Sequence, residues 1–464
     1  MSPDLAMMSA VDLLRAFREK KASPVEAAKA ALARIAGLNG RFNAYCLVDE
    51  SGALEAARQS ERRWQREGAD GLVDGVPTSV KDILLARGWP TLRGSKAVDP
   101  KQAWDEDAPA VARLREQGAV LLGRTTTPEF GWKGVTDSPL TGVTRNPWNP
   151  ATTSGGSSGG AAVAAATGMG ALHIGTDGGG SIRIPASFTG IFGFKQSFGR
   201  VPAHPLSPFG TVAHVGPMTR TVADAALMLT VMAQPDDRDW YALPPDNANY
   251  LDGLDAGVKG LRLAYAPTVA GAKVDGEVAA LVAAAAKRFS ELGAHVEEVD
   301  TQLPDSARTF AHHWFPGAAN ALRGFSAEQR RLMDPGLLEI AEQGARLPLL
   351  DYLAAIRERE ALGVAMNKFH RDWDLLLTPT IPIAAFAAGA EVPPGSGQTR
   401  WHEWTPFTYP FNLTRQPAAS VPCGFTKSGL PVGLQIVGPL YADKRVLQAA
   451  RAYEAVAPFK MPAL

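Results

Sequence analysis

From Thr152 to Ser197 the chain reads TTSGGSSGGAAVAAATGMGALHIGTDGGGSIRIPASFTGIFGFKQS, and this stretch restricts the fold more than any other. Ser157 and Ser181 each sit among glycines, separated by an alanine-rich segment and a short apolar run. A flexible linker has no use for an apolar helix and strand between its glycines. A site where main-chain N–H groups approach a reacting atom does, because glycine has no Cβ to block the approach.

The rest of the chain alternates in the same way. Short apolar runs at 76–80, 119–122, 172–175, 261–265, 296–299, 375–377, 419–421 and 432–437 read as strands. Helical patterns occupy 110–117, 158–167, 221–232, 277–292 and 443–455. Strands alternating with helices predict an α/β fold with a largely parallel, buried sheet. Residues 1–70 read as a helical N-terminal region and 306–373 as a helical insertion or covering layer, both within one domain over 1–464. Residues 385–404 read as a long irregular loop, a length that is usually functional or mobile.

Lys and Arg together number 47, as do Asp and Glu, so the chain carries no electrostatic footprint for nucleic acid or an anionic membrane. Two cysteines, Cys46 and Cys423, cannot build a disulfide framework, and no paired spacing suggests zinc. The opening segment carries charges within its apolar pattern and reads as an amphipathic helix rather than a secretion signal. No apolar run reaches the roughly 18 residues needed to span a bilayer. These features fit a cytoplasmic protein with small or neutral partners.

Around Ser181 an apolar strand ends in Gly175-Thr176-Asp177, three glycines follow, and Pro185 implies a short helical turn behind the serine. Successive N–H groups of Gly179, Gly180 and Ser181 can converge on an oxyanion without side-chain obstruction. Gly155 to Gly159 matches the G-x-S-x-G elbow in form, but its lead-in is a proline- and asparagine-rich loop rather than a buried strand. None of the eight histidines sits in a telling context. Serine is a weak nucleophile without a base, and Lys81, ending the apolar run in GVPTSVKD, is the candidate. A free lysine with a pKa near 10.4 is a poor base at neutral pH, so this role requires burial or neighbouring hydroxyls to disfavour the ammonium form.

Taken together, GVPTSVKD, NPWNP…GGSSGG, GTDGGGSIRIP and PAASVPCGF…GLPVGLQIVG resemble the amidase signature family across nearly the whole chain. The resemblance implies one α/β domain around a large mixed, mostly parallel central sheet covered by helices on both faces. It also implies an amidohydrolase that cleaves the C–N bond of a small carboxamide, an aryl or alkyl amide, without metal or cofactor. It implies Ser181 as nucleophile, Ser157, preceded by a cis peptide bond, as proton relay, and Lys81 as base. The N–H groups of Gly178, Gly179, Gly180 and Ser181 would hold the oxyanion. Asp177, Arg183 and Ser158 would support the site, and Phe130, Gly131 and Trp132 in EFGW would line the acyl pocket. Gly178 stands where the family often has threonine, and Lys195-Gln196 replaces a common Lys-Pro. The partner implied is a small amide, with no nucleic acid or membrane, and a homodimer is compatible. Two other readings are a glutaminase subunit of a glutamyl-tRNA amidotransferase and an inactive member kept as a binding protein.

Overall fold

A computed structural model describes residues 4–66 and 68–463. In chain order its strands are β1 (Tyr45–Val48), β2 (Pro77–Lys81), β3 (Val120–Thr125), β4 (Asp137–Ser138), β5 (Gly142–Val143), β6 (Leu172–Asp177) and β7 (Phe192–Lys195). Then follow β8 (His214–Thr219), β9 (Arg262–Tyr265), β10 (His295–Glu298), β11 (Leu375–Pro379), β12 (Ala418–Phe425) and β13 (Pro431–Val437). All but the β4–β5 hairpin join one 11-stranded sheet, ordered β1-β3-β2-β6-β8-β7-β12-β13-β11-β9-β10.

The sheet is mixed, as the family resemblance implies, but it is not mostly parallel. The pairs β3–β2, β2–β6, β11–β9 and β9–β10 are parallel, whereas β1–β3, β6–β8, β8–β7, β7–β12, β12–β13 and β13–β11 are antiparallel. β6 and β7 do run the same way, as a strand–helix–strand unit requires. What separates them is β8, which enters antiparallel between the two. The sequence pattern hides β8 because Gly216 and Pro217 interrupt its apolar alternation.

Helix starts follow local chemistry. The Ser9 side chain accepts from the Asp12 N–H, and Ser23 forms a reciprocal capping box with Glu26, so Ala10–Arg18 and Pro24–Phe42 begin where their serines dictate. Gly159–Thr167 is buried along its whole length because alanine and glycine let it lie between sheet and neighbouring helices. The region expected as a covering layer contains helices Ala307–Ala321, Ala327–Arg330, Pro335–Arg346 and Leu349–Phe369. It packs an aromatic-rich core, including Phe310, Trp314 and Leu337, over the sheet end that carries the serine loops. Among the described residues, no helix is long and apolar enough to cross a membrane.

Candidate active site

The site lies where β2 and β6, parallel neighbours, reach their carboxyl ends. In-register pairing of Val80 with Ile174 sets Lys81, the last residue of β2, beside Thr176 near the end of β6. Lys81 is fully buried. Its Nζ lies 2.7 Å from Ser157 Oγ, 2.9 Å from Ser158 Oγ and 2.8 Å from Thr176 Oγ1. No carboxylate among the described residues pairs with it. Burial therefore drives the Lys81 pKa well below the ordinary lysine value, and the charge of Asp177 opposes this only in part.

Three hydroxyl oxygens thus surround Lys81 Nζ within hydrogen-bond reach. Ser158 donates its hydrogen to the Thr176 carbonyl at 3.1 Å, so toward Lys81 it can only accept. Thr176 Oγ1 likewise receives a lysine N–H. As an ammonium Lys81 donates to all three; in its neutral form it keeps two hydrogens, for Ser158 and Thr176, and has a lone pair for Ser157.

Ser157 follows a cis peptide bond from Gly156 and precedes the N-terminus of helix Gly159–Thr167. The Ser158 N–H donates to the Ser181 carbonyl at 3.1 Å and ties the two glycine loops together. Ser181 opens onto the same cavity as Ser157. Among the described residues its Oγ has no hydrogen-bond partner, and no hydrogen bond joins the two serine hydroxyls.

Asp177 organises the loop that carries Ser181. Its carboxylate accepts the N–H groups of Gly180 at 2.7 Å and Ile182 at 3.2 Å, and grips Arg183 through Nε and Nη2, both at 2.9 Å. Both side chains are wholly buried, and Arg183 also reaches the Thr408 carbonyl, Gln435 and Asn412. Asp177 is held below the usual carboxylate range by Arg183, against the opposing effect of burial. This geometry corrects one expectation: the Gly180 N–H is spent on Asp177 and does not face an oxyanion. The N–H groups of Gly178, Gly179 and Ser181 have no acceptor among the described residues. Gly180 adopts φ +131°, which a residue with a Cβ rarely adopts. Gly178 has a different reason: a Cβ there would lie 2.7 Å from Trp314 Cζ3, so the ring occupies the space a threonine would need.

A cavity of about 260 Å³ fronts these groups. Its walls are largely apolar, with Ile83, Leu84, Phe130, Phe209, Trp314 and Phe325 among them. Phe130 and Gly131 line it as expected from EFGW, but Trp132 does not. The Trp132 ring packs under Gly336 with the Lys133 ammonium 5.3 Å from its centre, because its main-chain carbonyl is taken by Trp314 Nε1 at 3.0 Å. Trp132 thus positions a wall residue rather than being one. His214 reaches the cavity with Nδ1 2.9 Å from the Val212 carbonyl, and burial keeps its ring neutral. Sequence reasoning missed Thr176, Arg93 and Trp314 in the site. Thr176 abuts the GTDGGGS motif and was findable; Trp314 comes from a distant helix. Among the described residues, no group of three or more His, Cys, Asp or Glu side chains is arranged to hold a metal ion.

The family model described as Amidase matches residues 26–447. An acylamidase of Rhodococcus erythropolis is 37% identical over 469 residues, covering 99% of this chain and 98% of that protein. A glutamyl-tRNA(Gln) amidotransferase subunit of Myxococcus xanthus is 37% identical over 486 residues, covering 97% of each. The crystal structure of a bacterial aryl acylamidase of the amidase signature enzymes superposes with a TM-score of 0.91 at 33% identity, covering 97% of this chain and 96% of that one. Fold and relatives define an enzyme that hydrolyses carbon–nitrogen bonds of amides. The chain belongs to the amidase signature family.

Proposed function

We propose that the chain hydrolyses a small carboxamide with an apolar aryl or alkyl body through an acyl-enzyme on Ser181. The observation that carries this reading is the 2.7 Å contact between a buried, carboxylate-free Lys81 Nζ and Ser157 Oγ. The amine of Lys81 takes the Ser157 proton, Ser157 takes that of Ser181, and Ser181 Oγ attacks the amide carbon. The serine-to-serine hydrogen bond forms when substrate fills the cavity, since catalytic contacts in free enzymes are often longer than in the complex. The oxyanion is received by the N–H groups of Gly178, Gly179 and Ser181. The proton returns through Ser157 to the leaving nitrogen, and the amine or ammonia departs. Water then enters, gives its proton to the same relay and cleaves the ester at Ser181. An inactive binding protein has no need of this arrangement.

The chain works in this reading without nucleic acid, in the cytoplasm, alone or as a homodimer. The amidotransferase subunits among its relatives support a second reading, in which ammonia from glutamine passes to a partner. Against it stands the apolar, aromatic wall of the cavity. The test is turnover of 4-nitroanilides by the isolated chain, with fluorophosphonate labelling located by mass spectrometry. Hydrolysis without tRNA, lost in Ser181→Ala, and label on Ser181 are expected. Full turnover in Ser181→Ala, or label elsewhere, overturns the proposal.

A further inference from the structure

The cavity before Ser181 carries one charged side chain that the hydrolytic reading does not use. Arg93 lines it, part-buried among apolar residues. Among the described residues its guanidinium makes no hydrogen bond and no ion pair. Burial pushes its pKa down from the ordinary arginine value, but a guanidinium remains charged at neutral pH. The nearby charges cancel each other: Asp82 is committed to Arg124 at 2.8 Å and to the N–H groups of Leu92 and Gly94. No aspartate or glutamate lines the cavity; its other titratable walls are His204 and His214. His204 lies 3.6 Å from Glu106, which itself pairs with Arg238.

The backbone holds Arg93 at this place under strain. Its φ is +56°, a left-handed conformation that a residue with a Cβ rarely adopts. Its carbonyl accepts the Phe130 N–H at 2.8 Å, which fixes it to the segment that forms the cavity wall. The next residue, Gly131, faces Ser157 Oγ. An unpaired cation is thus anchored to the wall that runs past the proton relay.

We infer that Arg93 is a specificity-determining residue that receives a carboxylate on the substrate, remote from the scissile amide. A planar carboxylate matches the fork of the guanidinium, and the apolar walls take the body between the two ends. The same wall argues against glutamine, whose α-ammonium would find no carboxylate in the cavity. The substrate class is therefore an amide with an anionic end and no cationic one. This inference rests on the hydrolytic reading above and deepens it.

The test compares two pairs of amides, in wild type and in Arg93→Gln. One pair places the carboxylate on the acyl side: the mono-4-nitroanilide of glutaric acid against pentanoyl-4-nitroanilide. The other places it on the amine side: 4-acetamidobenzoate against 4-methylacetanilide. The readout is the ratio of kcat/KM within each pair, which cancels any general loss in the variant. In at least one pair the substitution lowers the ratio about ten- to hundredfold, the value of a charge-assisted hydrogen bond; which pair responds tells the side. Arg93→Lys keeps the charge without the fork and gives an intermediate ratio. On Ser181→Ala, which does not turn the amide over, hexanoate binds at least tenfold more tightly than hexanamide by calorimetry. Calorimetric binding of the glutaric anilide to Ser181→Ala, with Arg93 or with Gln, reads the same contact without turnover. Ratios equal within twofold in both pairs, or equal binding of hexanoate and hexanamide to Ser181→Ala, overturn the inference while leaving the hydrolytic reading intact. Wild type that hydrolyses none of the four amides but binds the anilide through Arg93 overturns the hydrolytic reading alone.

Discussion

Ser158 Oγ lies 3.1 Å from the Thr176 carbonyl oxygen and 2.9 Å from Lys81 Nζ, so, having given its hydrogen to the carbonyl, it can only accept from the lysine. With Ser158 and Thr176 Oγ1 both accepting, the remaining direction is toward Ser157. Thr176→Val removes one acceptor without changing the volume greatly. The expected loss in kcat is about tenfold, the worth of one buried hydrogen bond. Thr176→Ser, which keeps the oxygen, restores the rate and the pH profile. Steady-state kinetics on a nitroanilide checks both.

The pH dependence follows from the same lysine. In the proposed mechanism only neutral Lys81 accepts the Ser157 proton, so kcat/KM rises with pH through the folded-state pKa of Lys81, which burial depresses well below the ordinary lysine value. A profile whose rise centres near about 10.4, the value of a solvated lysine, contradicts this. Lys81→Met lowers kcat by about 10²–10⁴.

Stability carries a matching signature. Between the depressed folded pKa and the unfolded value near 10.4, the unfolded chain binds a proton that the folded chain does not. Its contribution to stability therefore rises with pH in that window, by up to about 1.4 kcal/mol per unit. The difference in unfolding free energy between wild type and Lys81→Met grows from about pH 8 to about pH 9.5. Urea titrations at the two pH values measure it.

Asp177→Asn leaves Arg183 buried with its charge uncompensated and weakens the brace on the Gly180 N–H. A stability loss of about 3–5 kcal/mol is expected on urea unfolding. Activity falls as well, since the same carboxylate shapes the loop beneath Ser181.

The two aromatics of EFGW separate cleanly. Phe130→Ala enlarges the cavity and changes the relative kcat/KM for aryl and short alkyl amides. Trp132→Ala costs about 3–5 kcal/mol of stability, as expected for a fully buried ring. It leaves the ranking of substrates nearly unchanged.

Much of the site was legible because its determinants are local. Asp177 and Arg183 are six residues apart, and a glycine run between them leaves little else for their charges to do in an apolar setting. Helix caps at Ser9 and Ser23 are equally local. The strands of the large sheet that escaped the pattern were β1, β7 and β8: four residues each in the first two, and a glycine–proline break in the third. Strand order also escaped, because apolar periodicity marks a strand without naming its neighbour.

The amino acids alone, then, determined two glycine-framed serines, a candidate base and an alternating α/β chain, since each is written in residue type and short spacing. Tertiary structure alone decided that Lys81 meets Ser157 across 76 residues, that Gly180 serves Asp177 and that Trp132 turns away from the cavity. Those outcomes depend on which strands pair and which rings fill the space between layers. They also depend on desolvation, which lowers the pKa of a lysine only after the core has closed around it.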